Sequence, residues 1–375
     1  MQIDYALPVD QSVQPQLGTS AFTQDEVLGI RTLPNPKCGV CRRDGIPLYS
    51  GLVDRLFGVP GEWTLKRCPG SACGLLWLDP MPHESDIALA YSAYYTHPGS
   101  AVKISRWRDF YYRLNYRLKN VHVRTRFGGR GEYRRAAAIL TWLALGPYPP
   151  TRAIVEFPMR YLPQPLTGRV LEIGFGHGRM LQQLGELGWD AEGLETDAVT
   201  VDNAKQRGLK VACGSLAGQR YPDDHFDAIV SNHVLEHVHE PLQMLRESRR
   251  VLRAGGRFIA ATPNAASFGH RVFGADWRGL EPPRRLQIFT PPAITSLARI
   301  AGFKNPTCVT SSRGAALIWN LSRRQRETGT RPDSCTIGAQ VAPISLQAFA
   351  VETLECLLRP LMPGMAEELI LIAQK

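Results

Sequence analysis

Val170-Leu171-Glu172-Ile173-Gly174-Phe175-Gly176-His177-Gly178 is the stretch on which the fold turns. A short, mostly apolar run reads as a strand, and it enters a loop in which alternate residues are glycine before a helical pattern begins near residue 178. Glycines at such a turn let the backbone bend sharply and approach a ligand with no Cβ in the way. A dinucleotide-binding loop would place its third glycine at 179, which is Arg179, so the nicotinamide and flavin fingerprint fails. No G-K-[ST] is present, which disfavours a nucleoside-triphosphate loop. The next apolar strand ends at Glu195, where a carboxylate can accept both hydroxyls of a ribose. Together these features suit an adenosine whose tail carries no pyrophosphate.

Outward from the loop, apolar runs alternate with helical spacing. Strands are predicted at 170–173, 191–194, 209–212, 227–231, 257–262, 306–311 and 368–373, with helices from about 178 and at 198–207, 241–253 and 291–301. This alternation predicts an α/β fold with a Rossmann-like, doubly wound sheet. Gly255-Gly256 is expected to close the helix ending in VLRA, and Pro263 to stop the strand after it.

Four segments in order carry a resemblance: LEIGFGHGRML at 171–181, GLETD at 193–197, YPDDHFDAIVSNHVLEHVHEP at 221–241 and VLRAGGRFIAATPN at 251–264. They resemble the successive motifs of class I S-adenosylmethionine-dependent methyltransferases. The resemblance covers roughly 166–312, and the terminal ELILIAQK is similar to the antiparallel last strand of that fold. It implies that Gly174, Gly176 and Gly178 pack beneath the methionine part of the cofactor, that Glu172 supports its amino group through the loop, and that Glu195 holds the ribose. The acid usual after the third strand is replaced by Ser215, so adenine recognition is expected from the Ser215 hydroxyl and the Leu216 backbone.

Methyl transfer is an in-line displacement at a sulfonium, and its main demands are alignment of the acceptor and exclusion of water. A hydroxyl acceptor also loses a proton, for which histidine has a suitable pKa. SNHVLEHVHEP offers His233 and His237 at the C-terminal edge of the sheet, where ligands of open α/β folds bind, with Glu236 and His239 nearby. Both histidines are candidate bases; the plainer reading has Glu236 and His237 bonded to local backbone. The excursion TPNAASFGHRVFGADWRGLEPPRRLQIFT at 262–290 is expected to shape the acceptor site. It resembles the substrate segment of methyltransferases from polysaccharide and natural-product pathways, with Arg285 standing where that pattern has histidine. Arg271, Arg278, Arg284 and Arg285 could meet an acidic or phosphorylated acceptor, or form ordinary salt bridges.

Cys38-x2-Cys41 and Cys68-x4-Cys73 can supply four thiolates to a structural zinc. The run RCPGSACGLLWLDP resembles the second knuckle of the small zinc-ribbon-like domains that precede such methyltransferases, which usually have two residues between the cysteines. Cys213, Cys308, Cys335 and Cys356 are scattered and read as core or surface thiols. Charge is also local: of a formal net charge of +10, residues 103–135 carry eleven Lys or Arg against two acids. There Trp107, Phe110, Tyr111, Leu114, Leu118 and Val121 recur at helical spacing, with Arg106, Arg108, Arg113, Arg117 and Lys119 on the other face. Such a helix can pack on the sheet domain, lie in an anionic membrane interface, or meet nucleic acid.

At roughly 150 residues per domain, 375 residues hold two modules and a small third. The reading is a flexible leader over 1–33, a zinc-ribbon-like module over 34–83, a basic helical segment and linker over 84–165, and a methyltransferase domain over 166–375 with an insertion at 313–360. The opening MQIDYALPVD has no basic cluster or apolar run marking a secretory signal, and cytoplasmic location, with peripheral membrane contact left open, is expected. The expected acceptor is a hydroxyl of a sugar, glycan or related small molecule. An RNA methyltransferase reading through the zinc module and basic segment competes with it, although SNHV stands where nucleobase amino-methylating enzymes commonly show an N-P-P-[YF]-like motif. A binding protein that has kept the fold without activity is a third reading. Glu195→Ala should weaken S-adenosylmethionine binding by about 1.5–3 kcal/mol, the scale of a charge-assisted hydrogen bond; calorimetry showing unchanged affinity in a folded variant would remove the assignment.

Overall fold

The structure is a computed structural model that describes residues 29–91, 106–127, 149–163, 167–328 and 345–375; the side chains of 106–116 and 149 lie outside that description. The N-terminal part contains β1 (Thr32–Leu33), β2 (Ile46–Leu52), β3 (Trp63–Arg67), β4 (Leu76–Leu78) and β5 (Met81–Pro82), followed by α1 (Arg106–Phe127) and α2 (Pro149–Glu156). The expected leader lies outside the described residues except at its end, where β1 pairs with β5. Next come β6 (Gly168–Ile173), α3 (Arg179–Glu186), β7 (Trp189–Glu195), α4 (Ala198–Gln206), β8 (Val211–Cys213), β9 (Phe226–Asn232), α5 (Pro241–Val251) and β10 (Leu252–Pro263). The remainder is α6 (Phe268–Phe273), β11 (Gln287–Ile288), α7 (Pro291–Ile300), β12 (Lys304–Ser311), α8 (Ala315–Thr328), α9 (Leu346–Leu358) and β13 (Glu368–Gln374).

Seven strands form the main sheet in the order β12, β13, β10, β9, β6, β7, β8. All neighbours pair in parallel except β13, which lies antiparallel between β10 and β12. The Rossmann-like sheet with an antiparallel last strand is therefore present. The middles of its central strands are mostly apolar because both faces are covered. Leu171, Ile229, Phe258 and Leu371 pack with Leu245 of α5 and Leu297 of α7, whereas their neighbours Val170, Val230, Ile259 and Ile370 pack with Leu184 of α3. Helix α5 ends at Val251, and Leu252 is already extended, so the chain leaves the helix before Gly255-Gly256 rather than at that pair.

Val123 of α1 and Val155 of α2 join the second of these faces, together with Phe157 and Met159. Helix α1 thus packs on the sheet domain near its C-terminal end, where Val121 of the expected stripe is 39% exposed while His122 and Val123 are buried. The reason is a polar anchor. His122 Nε2 lies 3.1 Å from Glu156 Oε1 of α2, and Arg126 reaches the same oxygen at 3.1 Å, which turns the helix toward its 122–123 edge. The aromatic positions 107, 110 and 111 of the stripe fall among the side chains not described. Among the described residues no helix is long and apolar enough to cross a membrane.

A second sheet has the order β11, β4, β3, β2. Its outer strand β11 comes from the 264–290 excursion and lies antiparallel to β4, so the cysteine-bearing strands and the excursion share one core. Trp63, Leu65, Leu76 and Leu78 pack there against Trp277, Leu286, Ile288 and Trp319. Residues 277–290 are all buried. Of the two roles open to the arginines of the excursion, Arg278, Arg284 and Arg285 take the salt bridge, inside the fold. Arg284, fully buried, donates from Nη1 and Nη2 to Asp54 at 2.8 Å each and from Nε to Glu281 at 3.1 Å. Arg278 pairs with Glu281 at 2.7 Å and Arg285 at 3.4 Å, and only Arg271 of the four is exposed. Burying a guanidinium requires such partners, since an unpaired interior charge costs several kcal/mol. Arg284→Met, which strands the Asp54 carboxylate while Glu281 keeps Arg278 and Arg285, should lower the unfolding free energy by about 3–5 kcal/mol. Urea denaturation followed by tryptophan fluorescence reads it; a loss below about 1 kcal/mol, the scale of an exposed pair, would deny the clamp its role.

Candidate active site

Strand β6 delivers its chain into the glycine loop with Gly174, Gly176 and Gly178 all at positive φ (72°, 49° and 67°). A Cβ on Gly174 would lie 2.3 Å from Val234 Cγ2, so this glycine also allows the loop to sit against the segment after β9. At Gly176 a Cβ would meet nothing within 4 Å: this is the open side of the loop. Glu195, at the tip of β7, accepts the Gly176 N–H at 3.3 Å and the Thr196 N–H at 2.8 Å. The Gly214 N–H donates to the Glu195 carbonyl at 2.8 Å and so brings the end of β8 alongside. There Ser215 is exposed with its Oγ accepting the Gly218 N–H at 3.2 Å, and Leu216 is buried beneath.

Glu172 is buried under the loop, where burial and the nearby Glu195 charge push its carboxyl well above the usual range. The Leu181 backbone N–H donates to it, while Oε2 has no partner. The shift favours the protonated carboxyl, which carries a hydrogen-bonding atom in reserve. The loop, the open face at Gly176, the rim carboxylate and this orphan atom fit an adenosine-type cofactor with a charged amino-acid tail.

Beyond the loop, two histidines at the end of β9 meet opposite surroundings. His233, at φ 55°, places Nδ1 3.0 Å from Glu236 Oε1 and Nε2 2.8 Å from Glu368 Oε1. Burial opposes its charge, but the two carboxylates outweigh that and raise its pKa to about 9. Burial likewise opposes the Glu236 charge, yet His233 holds its pKa down at about 2, and its Oε2 accepts the Thr262 hydroxyl at 3.0 Å. Glu368 is held by Arg313, which donates from Nε and Nη2 at 2.7 Å each and also reaches Asn232 Oδ1 at 2.6 Å. The Arg313 guanidinium lies 4.0 Å over the Phe157 ring. The result is a closed row of charges, Arg313–Glu368–His233–Glu236, in which His233 is an imidazolium at neutral pH.

His237 has no such carboxylate at hydrogen-bond distance; Glu236 Oε1 is 3.9 Å from Nε2. Its Nδ1 lies 2.9 Å from the Arg284 carbonyl and 3.0 Å from the Tyr91 hydroxyl. A carbonyl can only accept, so Nδ1 carries the proton and Nε2 keeps its lone pair. Burial lowers the His237 pKa, which keeps the ring neutral. His239 is tied away from both, its Nε2 2.8 Å from the Pro82 carbonyl. Tyr91, Arg313 and Glu368 had no local signal: each reaches the histidine pair from a remote segment.

The four clustered cysteines converge. Their Sγ atoms all lie within 4.8 Å of one another, with Cys38–Cys73 at 3.7 Å and Cys41–Cys68 at 3.2 Å. Sulfurs about 2.3 Å from a tetrahedral zinc stand about 3.8 Å apart, so the donor set and spacing fit that ion. Backbone N–H groups of Val40 and Gly70 point at Cys38 and Cys68 Sγ, each at 3.4 Å, as expected where thiolates need compensation. The longer second knuckle is accommodated by a turn in which Cys73 and Gly74 N–H both donate to the Gly70 carbonyl at 2.9 and 3.2 Å. Cys213, Cys308 and Cys356 lie apart from this cluster, and Cys335 falls outside the described residues.

The family model for the methyltransferase domain matches residues 148–307. Residues 148–307 thus carry a methyltransferase domain, in line with the resemblance to class I S-adenosylmethionine-dependent methyltransferases. Among curated proteins, one from Mycolicibacterium smegmatis, named a probable S-adenosylmethionine-dependent methyltransferase, is 36% identical over 101 residues, which are 26% of this chain and 39% of that protein. A ubiquinone biosynthesis O-methyltransferase of Cereibacter sphaeroides is 29% identical over 153 residues, 37% of this chain and 62% of the relative. The chain thus spans less than two thirds of either relative. A crystal structure of a methyltransferase from Archaeoglobus fulgidus is 15% identical, with a TM-score of 0.41 over 60% of this chain and 92% of that one.

The methyltransferase domain's charge row predicts a pH response. The folded His233 pKa of about 9 exceeds the ordinary 6.5, so the folded state binds this proton more tightly than the unfolded chain. The stabilisation is complete below pH 6.5 and lost as pH rises through about 9. Thermal midpoints should fall across this window, less so in His233→Gln; equal falls in both proteins would exclude His233 as the source.

Proposed function

We propose that the protein transfers the methyl group of S-adenosylmethionine to a hydroxyl of a sugar, glycan or related small molecule, with His237 as general base. The observation that carries this is the His237 tautomer: a neutral ring, Nδ1 proton fixed on the Arg284 carbonyl, and a basic Nε2. A carboxylate or thiolate acceptor would need no such group, whereas a hydroxyl does. The O-methyltransferase name of the Cereibacter relative agrees with an oxygen acceptor. With Arg278, Arg284 and Arg285 committed to Glu281 and Asp54, these arginines are not available to bind a phosphorylated acceptor, which favours a neutral one.

The cofactor, when bound, supplies a sulfonium whose methyl is displaced in line. Gly174, Gly176 and Gly178 would carry its amino-acid part, with the Glu172 carboxyl below the loop. Glu195 would accept the ribose hydroxyls, and Ser215 with the Leu216 backbone would border the adenine. His233 is not the base in this reading: both nitrogens are occupied and it already holds its proton. It instead fixes the end of β9 against β13. Cys38, Cys41, Cys68 and Cys73 would hold a structural zinc that organises β2, β3 and β4, to which the loop carrying Asp54 and the short helix ending at Tyr91 are joined.

Isotopically methyl-labelled cofactor, incubated with cell extract and read by mass spectrometry, identifies the acceptor. With that acceptor, His237→Ala should lower kcat by about 10²–10⁴, the range for loss of a general base, while S-adenosylhomocysteine affinity stays within about twofold. The kcat/KM profile should rise with pH through the lowered His237 pKa. A near-normal rate in His237→Ala would defeat the hydroxyl reading.

A further inference from the structure

We propose that the outward face of α9 docks on an anionic lipid surface and that the methyl acceptor is an amphiphile held there; the second half rests on the methyl-transfer reading above. Helix α9 is inverted relative to a helix facing water. Its inward positions are Ala348, Glu352 and Glu355, all buried, and the Glu355 Oε2 has no partner. Outward, Leu346 is 88%, Leu357 67% and, in the turn that follows, Leu361 78% exposed, with Leu354 and Met362 about half exposed between and beside them. Single exposed leucines are ordinary, but positions 346, 350, 354, 357 and 361 form one continuous helical stripe of Leu and Ala. Burial raises the Glu355 pKa to about 8, so the inner face carries a neutral carboxyl while the apolar face looks outward.

Cations border this stripe. Arg359 ends it, and exposed Arg160 lies near enough that both act on Tyr161. Helix α9 packs on α2, and α2 on α1, where Arg117 is exposed and Arg124 and Arg126 pair with Glu186 and Glu156. An apolar centre with a basic rim is the pattern of an interfacial anchor on anionic lipid.

The stripe also leads to the chemistry. After α9 the chain turns through 359–366, where Thr310 holds the Pro363 carbonyl at 2.5 Å and Asn264 holds those of Gly364 and Ala366 at 2.9 and 2.7 Å. It then enters β13 at Glu368, which binds His233. An amphiphile with its tail along the lipid surface would present its head group at this end of the molecule.

Sedimentation of the full chain with vesicles of phosphatidylcholine plus phosphatidylglycerol, and of phosphatidylcholine alone, at low and high salt, tests the docking surface. Binding should require the anionic lipid, weaken about tenfold or more at high salt, and fall about tenfold or more in the double variant Leu357→Gln, Leu361→Gln. S-adenosylhomocysteine affinity in that variant should be unchanged. Absence of pelleting at low salt, or wild-type pelleting by the variant, would overturn the docking surface. A wild-type dimer that the variant turns into monomer would overturn it too, and assign the face to a second copy. Vesicle binding without S-adenosylhomocysteine binding would leave the surface standing and remove the methyl-transfer reading. In the labelled-extract experiment the methyl group should enter the organic phase; label confined to the aqueous phase would overturn the amphiphilic acceptor.

Discussion

A single buried guanidinium holds the two halves of this protein in register. Arg284 is fully buried and has its charge met by Asp54, from the cysteine-bearing part, and by Glu281, from its own segment. Asp54 is met by Arg284, whereas Glu281 is met by Arg278 and Arg285 as well, and the interior penalty for one unpaired charge is several kcal/mol. Asp54 is further fixed by the Leu56, Phe57 and Val59 N–H groups. The geometry is therefore over-determined, and what matters for chemistry is the backbone that comes with it. The Arg284 carbonyl is the atom that receives the His237 Nδ1 proton.

The active site is consequently composite. The sheet domain contributes the glycine loop, Glu195 and the histidine pair, all at the edge where parallel strands end and open folds bind ligands. The cysteine-bearing part contributes Asp54, Tyr91 and the Pro82 carbonyl, and it shares a sheet with β11 of the excursion. Loss of the cysteine cluster would thus disturb His237, the proposed base, through packing alone. The Thr290 hydroxyl, bonded to the Cys73 carbonyl while capping α7, is one such connection.

The sheet was legible because its signals are local. Apolar runs, glycines at positive φ and a carboxylate at a strand tip each declare themselves within a few residues, and seven strands and the loop follow from them. The cysteine spacing likewise pointed to four converging thiols. What escaped depends on separation in sequence. Arg284 and Asp54 are 230 residues apart and His233 and Glu368 are 135 apart, and no periodicity encodes either. The arginines of 278–285 left acceptor binding and salt bridges both open because composition cannot reveal that one glutamate and one aspartate will be folded among them. In α1, a hydrophobic stripe predicted Val121 inward, but the His122–Glu156 pair set the rotation.

The two histidines show why residue type alone could not assign the base. They lie four positions apart on one short segment, and each was equally suited to take a proton. His233 has a carboxylate on each nitrogen, so burial strengthens both attractions and the ring stays charged. His237 has a carbonyl and a phenol on one nitrogen and only a distant carboxylate on the other, so burial removes its charge instead. The same low-dielectric surroundings act with opposite sign because the partners differ in charge. One ring becomes a fixed cation that ties β9 to β13, and the other is left with a free lone pair beside it.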